Sequence, residues 1–350
     1  MWTYGDTNKA ANSLARYLVS TGVKHGDRVV MFMENRPGFG ISLLALNKIG
    51  AIAVLINTSL PGDSLVHCIN SSDSVICIFG AERADVLEDV LNQINVTKQE
   101  DFLWVEDTSK YSLPNWAIDL KAQLDISDNA NLEETNSVRV KDIACYIFTS
   151  GTTGVPKAAI CPNQKILAAS VNITIAGYRI NEKDCMHNSL PLYHSTGLIL
   201  GLCACIQVGA STFIKRKFSA SSFWSEVQKF NTTAFVYVGE LCRYLSFQEP
   251  CDEEVNNPIS KMVGNGLRPD LWDTFRNRFN VERICEIYGA SEANGMFMNL
   301  LNKDQTIGMT NTDIKLFAYD VAEDKLKAVS YTHLRAHETS LHLVCRLLLE

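Results

Sequence analysis

The sequence predicts an α/β protein of two lobes, each a mostly parallel sheet flanked by helices. Three observations carry that expectation. Short apolar runs alternate with amphipathic, helix-length segments from residue 3 to residue 105, the rhythm of βαβ units joined by right-handed crossovers. The same rhythm resumes beyond residue 157. A chain of 350 residues also exceeds what one compact core usually holds, and its 46% hydrophobic and 20% charged content supplies an ordinary globular interior.

In chain order, residues 3–22 open with Thr3-x-x-Asp6, place Leu14, Tyr17 and Leu18 on one face and stop at Gly22. That is a capped amphipathic helix. Strands are expected at 29–33, 51–56, 75–79 and 102–105, with helices at 37–49, 63–69 and 84–94 between them. Residues 107–140 are polar and without clear period, and read as a surface excursion. After it comes an apolar strand at 143–148, and beyond the turn that follows it the alternating rhythm resumes through 166–175 and 185–190. Two apolar stretches, 41–56 and 196–214, are each interrupted (Asn47, Lys48 and Gly50; Gln207 and Gly209) and read as helix-to-strand core segments rather than membrane spans.

Composition narrows the function. A net charge of -7 argues against a nucleic-acid surface. Eleven cysteines without a CxxC pair read as buried thiols of a reducing compartment. Polar residues directly after Met1 argue against a cleavable signal peptide.

The chemistry centres on Tyr146-Ile147-Phe148-Thr149-Ser150-Gly151-Thr152-Thr153-Gly154-Val155-Pro156-Lys157. The strand breaks into a turn whose two glycines let backbone N–H groups converge on an anion. Thr149, Ser150, Thr152 and Thr153 add hydroxyl donors, and Lys157 adds a positive charge. Such a surface suits a polyphosphate. The spacing excludes a Walker A loop, which needs four residues between its glycines and a lysine followed by Ser or Thr; here two separate them and Ala158 follows Lys157. The other glycine cluster, Gly264-Asn265-Gly266, lacks the third glycine of a dinucleotide fingerprint.

The string resembles the phosphate loop of AMP-forming, adenylate-forming ligases. Tyr288-Gly289-Ala290-Ser291-Glu292 resembles their YG-x-[ST]-E motif. Gly264-Asn265-Gly266-Leu267-Arg268-Pro269, the segment from Tyr237 through Gly239 to Leu245, and Leu190-Pro191-Leu192-Tyr193-His194-Ser195-Thr196-Gly197 resemble segments of the fatty-acid transport proteins, also called very-long-chain acyl-CoA synthetases. The resemblance covers roughly residues 3–300.

What it implies follows residue by residue. The loop 146–157, Gly264, Asn265 and Gly266, with Tyr288, Gly289 and Ser291, would bind the nucleotide. Tyr288 would be the adenine platform and Ser291 the α-phosphate contact. Glu292 would hold Mg²⁺, with Thr149, Lys157 and Glu292 in the catalytic roles. His194 and Gly239 would lie on the acyl side, with Leu198, Ile199 and Leu202 bordering an apolar tunnel. Glu240 and Arg243 read as a structural, buried charge pair. The implied reaction joins a long- or very-long-chain fatty acid to ATP, giving acyl-AMP, and then to CoA.

The family pattern continues into a YRTGD-like motif, a hinge and a small lid domain with a lysine, none of which this chain shows. Residues 1–328 therefore read as an incomplete adenylation domain of low activity. Residues 313–327 match the β-rich continuation only loosely. Residues 329–350 look like a translated sequencing adaptor, with His333, His337 and His342 as an accidental metal-like cluster. By resemblance the protein works at the cytosolic face of a membrane (endoplasmic reticulum, plasma membrane or peroxisome), attached through segments outside this sequence. The other reading is a lipid-uptake protein in which binding matters more than ligation.

Overall fold

The computed structural model describes residues 1–124, 129–149, 154–292 and 295–310, together with the backbone of two strands at 317–320 and 325–328. Seven strands form the first sheet: β1 (Arg28–Phe32), β2 (Ile52–Leu55), β3 (Ile76–Gly80), β4 (Phe102–Val105), β5 (Ile118–Asp119), β6 (Ile143–Thr149) and β7 (Lys157–Pro162). Their spatial order is β5-β4-β3-β1-β2-β6-β7. Six form the second: β8 (Cys185–Asn188), β9 (Ser211–Ile214), β10 (Ala234–Val238), β11 (Lys261–Asn265), β12 (Arg283–Tyr288) and β13 (Phe297–Met298), ordered β13-β12-β11-β10-β8-β9. Both sheets are parallel except at one edge, where β7 runs antiparallel to β6 and β13 to β12. A separate antiparallel hairpin pairs β14 (Phe317–Asp320) with β15 (Lys325–Ala328), inside the stretch that matched the β-rich continuation only loosely.

Alternation along each strand explains how both faces of a parallel sheet are buried. In β1, Val29 and Met31 enter a core shared by the two sheets, whereas Val30 and Phe32 enter a second core on the outer face. In β10, Ala234 and Val236 face the shared core while Phe235 and Tyr237 join a third, aromatic one. The helices Tyr4–Ser20, Pro37–Lys48 and Asn163–Asn172 contribute to the shared core. So does a helix that begins as a π-helical segment, Thr196–Cys203, and continues as α-helix Ala204–Val208.

Most expected elements form within two residues of their expected ends. The Thr3–Asp6 capping box closes the first helix, with the Asp6 N–H donating to Thr3 Oγ1 at 3.0 Å and the Thr3 N–H to Asp6 Oδ2 at 3.1 Å. The interrupted stretch 196–214 is a helix handing over to a strand at Gly209, whose φ is +74°. Among the described residues no helix is long and apolar enough to cross a membrane.

Three expectations are corrected. The helix expected at 84–94 is a short α-helix, Ala84–Glu88, and a separate 3₁₀ turn, Leu91–Gln93, because Asp89 and Asn92 are weak helix formers and Val90 turns inward to the core. The excursion 107–140 includes an ordered edge strand, β5, parallel to β4. Glu240 and Arg243 do pair, but on an exposed helix face three residues apart rather than in the interior. Burial belongs instead to Arg36, which pairs with Glu82 and donates to the Val105 carbonyl at 3.0 Å.

The two sheets meet along a polar seam. The buried Asn35 amide donates to the Leu190 carbonyl at 2.7 Å and the Lys215 carbonyl at 3.0 Å, and accepts from the Leu192 N–H at 2.8 Å. Around it, Arg216 grips both Asp107 oxygens at 2.7 Å and Lys217 meets Glu34 at 3.2 Å. Asn35→Ala would leave two carbonyls and one N–H without partners. We expect it to lower unfolding free energy by about 2–4 kcal/mol, read from urea midpoints at constant slope.

His187 in β8 lies between Phe213, Phe223 and Phe235, its ring centroid 4.7 Å from that of Phe223. Burial pulls its imidazole down to about 4 despite the Nε2–H donated to Glu226 at 3.3 Å. The folded chain therefore keeps the ring neutral. That contribution is whole above about pH 6.5 and is lost as pH falls toward about 4. Unfolding free energy is expected to drop by up to about 3 kcal/mol across this window, with that part of the slope absent in His187→Phe.

Candidate active-site cavity

A cavity of about 830 Å³ opens between the sheets, where the β6–β7 hairpin faces the end of β12 and the π-helical segment. Each wall follows from a chain feature already described. Thr149 ends β6 and Asn265 ends β11; Gly289, Ala290, Ser291 and Glu292 follow β12 directly. His194, Ser195 and Thr196 lead into the π-helical segment, and Lys165 lies on the first turn of the helix Asn163–Asn172. Residues just beyond the carboxyl ends of parallel strands are where α/β sheets place ligands. The lining also includes the apolar side chains of Ile160, Ile199, Leu200, Ile287, Met296 and Met298.

Polar residues of the lining are tied together internally. Lys165 Nζ donates to the Ser291 carbonyl at 2.6 Å, and the hydroxyls of Ser195 and Ser291 share a hydrogen bond at 3.0 Å. The Thr196 N–H donates to His194 Nδ1 at 3.4 Å, and burial holds that imidazole below its ordinary value, so it is neutral at pH 7. Glu292 is exposed and is the one carboxylate among the described lining residues.

Of the residues singled out in the sequence, Thr149, Asn265, Gly289, Ser291, Glu292 and His194 share this cavity. Lys157 stands directly across from Thr149 in the β6–β7 register, at the exposed start of β7 and outside the lining. Ser150, Gly151, Thr152 and Thr153 lie outside the described residues, as do residues 329–350. Gly154 has a φ of +125°, and the Pro156 carbonyl accepts from His67 Nε2 at 3.0 Å. Ile147 is buried in the shared core, whereas Tyr146 and Phe148 pack against the outer core. Tyr288 is 54% exposed and tilted against Phe297, next to the cavity rather than lining it. Of the three expected tunnel residues only Ile199 reaches the wall; Leu198 is fully buried in the core, and Leu202 packs beside Gly40.

Gly239, Gly264 and Gly266 stand behind the cavity as a backbone crossing. A Cβ on Gly239 would lie 1.8 Å from the Gly266 carbonyl oxygen, and one on Gly264 would lie 2.1 Å from the Tyr237 carbonyl oxygen. Gly266 itself has a φ of +83°. Under this crossing sits Glu286, a buried carboxylate that sequence reading missed. It accepts from the Gly266 and Leu267 N–H groups and from the Tyr237 hydroxyl. Burial pushes its acid form up, against three donors that pull the other way. Its only sequence signal was its position in an apolar strand, where a lone charge needs partners. Lys165 was missed for a similar reason: nothing in its local sequence separates it from a solvated helix lysine.

The AMP-binding enzyme family profile matches residues 1–328. The chain belongs to the AMP-binding enzyme family. It is 35% identical over 334 residues to long-chain fatty acid transport protein 6 of Mus musculus, covering 93% of this chain and 53% of that protein. It is 36% identical over 330 residues to the medium/long-chain-fatty-acid–CoA ligase FadD6 of Mycobacterium tuberculosis, covering 91% and 51%. The chain thus spans about half the length of the curated relatives it matches. Its fold resembles that of the anthranilate CoA ligase AuaEII in complex with anthranoyl-AMP, with a TM-score of 0.80 at 19% identity over 93% of this chain and 62% of that one. The inhibitor-bound N-terminal domain of FACL13 from Mycobacterium tuberculosis gives a TM-score of 0.75 at 22% identity, over 93% and 79%. An AMP-binding enzyme with two parallel-dominated sheets is therefore the frame in which the cavity is read.

In this AMP-binding chain the glycine crossing has no room for a methyl group. Gly239→Ala is expected to cost at least about 3 kcal/mol of stability, measured by thermal and urea unfolding.

Proposed function

We propose that this chain is the adenylating part of an ATP-dependent ligase for long- or very-long-chain fatty acids. The acid's carboxylate attacks the α-phosphorus of ATP, forming acyl-AMP and releasing pyrophosphate. The thiol of CoA then displaces AMP to give acyl-CoA. One observation carries the reading: a single cavity is lined both by apolar side chains such as Ile199, Leu200 and Met298 and by Thr149, Asn265, Ser291 and Glu292. An activating enzyme for an apolar acid needs both in one space.

The first step brings two anions together, so the site must neutralise charge and fix the line of attack. The hydroxyls of the loop 149–153 and Lys157 are assigned to the phosphates, Ser291 to the α-phosphate, and Gly264, Asn265, Gly266, Tyr288 and Gly289 to the nucleoside side. Lys165 adds an ammonium beside Ser291. His194 and the apolar lining residues are assigned to the acid. His194, held neutral, shapes access rather than exchanging a proton. Gly239 acts through the crossing behind the cavity.

Glu292 fits a Mg²⁺ role. It is an exposed, hard oxygen donor on the cavity and the one carboxylate among the described lining residues, which suits an ion that keeps waters and takes its other ligands from substrate phosphates. When bound, the ion would offset phosphate charge.

The similarity to proteins named fatty acid transport proteins favours a second reading, in which the whole protein serves fatty-acid uptake at a membrane and binding is its main role. ATP–pyrophosphate exchange separates the two. Exchange stimulated by long-chain acids supports the ligase; acid binding without exchange in the full-length protein supports uptake. In the full-length protein Glu292→Ala is expected to lower exchange by about a hundredfold or more. Near-normal exchange would refute the metal role.

A further inference from the structure

Two thiols face each other at the base of the β6–β7 hairpin. The register pairs Cys145 with Cys161 directly, one residue from the irregularity that follows Ile143. Directly opposed residues of antiparallel strands have Cα atoms about 4.5–5.5 Å apart and side chains on the same face. A disulfide needs a Cα separation of about 4.4–6.8 Å. No large backbone movement is required to join them. Both residues are free thiols, 0% and 1% exposed.

Cys161 differs from the other described cysteines in one respect: it alone lines the cavity. Of the two cysteines, Cys161 is therefore the one beside the cavity, and Cys145 is its cross-strand partner.

We propose that Cys145 and Cys161 are a redox-active dithiol on the cavity wall, converted by a hydroperoxide into a disulfide that links β6 to β7. Cys161 is the attacking sulfur and Cys145 the resolving one. The contact between the two thiols lowers the pKa of Cys161 and raises that of Cys145, and the Lys165 ammonium favours the Cys161 thiolate. The thiolate attacks one oxygen of the peroxide, the O–O bond breaks, and the departing alkoxide or hydroxide takes a proton and leaves as alcohol or water. Cys145 then displaces hydroxide from the sulfenic acid; its own proton completes the water that leaves. In total, two thiols and one hydroperoxide give one disulfide, one alcohol (water, for hydrogen peroxide) and one water. The new bond ties the strands directly beneath the loop that Thr149 and Lys157 flank. It is chemistry of the chain itself and does not depend on the ligase reading.

The chain lends itself to a direct test. Cys145 and Cys161 fall on separate tryptic peptides, DIACYIFTSGTTGVPK and AAICPNQK. After brief treatment with hydrogen peroxide and digestion without reductant, these two peptides should appear as one linked species that dithiothreitol separates. Cys161 should be oxidised about tenfold or more faster than Cys205 or Cys242, whose thiols burial pushes up. Cys145→Ser should leave Cys161 as a sulfenic acid that dimedone captures, and Cys161→Ser should abolish both products. Oxidation of other cysteines without this link would overturn the proposal. So would a Cys145–Cys203 bond in its place, Cys203 being the other thiol near Cys145.

Discussion

Joining two buried sheets along a polar seam is the constraint on which the rest of the fold depends, and Asn35 is where it is met. One side-chain amide satisfies backbone groups that follow both β8 and β9, while its own backbone follows β1. A buried amide with three directed partners sets position in a way that apolar contact alone does not. The surrounding ion pairs, Arg36 with Glu82 and Arg216 with Asp107, extend the seam along the carboxyl ends of β1, β3 and β4. Because strand ends are fixed there, the loops that leave them are fixed too. The cavity follows from that alignment.

Within the second sheet the same logic operates at smaller scale. Glu286 gathers two backbone N–H groups and a phenol beneath the glycine crossing, so the turn after β11 has a defined height. The crossing itself is possible only because Gly239 and Gly266 lack side chains. Asn265 reaches the cavity from a backbone held on both faces. An exposed residue such as Glu292 can then be presented by a short loop without losing its place, since the strand before it ends on this platform.

Much of this was legible in the sequence. The capping box, the strand periods of β1 to β4 and the break at Gly209 depend on neighbours in the chain, and local pattern reports them directly. So does the grouping of Thr149, Asn265, Ser291, Glu292 and His194, once their motifs are recognised as parts of one family's site. What was not legible depends on partners far away in sequence. Arg36 reads as a surface charge until Glu82 and the Val105 carbonyl close around it. Glu286 needs Tyr237 and Gly266; Lys165 needs Ser291. The strand β7 itself was hidden because its largest apolar residue, Ile160, faces outward while the small Ala159 and Cys161 are the buried ones. Conversely, Glu240 and Arg243 looked like an interior pair because charge spacing alone carries no depth.

The π-helical start of the segment Thr196–Cys203 has an evolutionary corollary. A π turn accommodates one residue more than an α turn, so it behaves as a single-residue insertion absorbed without breaking the helix. Removing one residue would let the segment relax to ordinary α geometry and swing the side chains on one side of the deletion by about 100° relative to the other. Ile199 and Leu200 would then give up their places in the cavity lining to different neighbours. Gene-level gain or loss of a single codon here is therefore a ready route by which descendants could resize the pocket while leaving both sheets untouched.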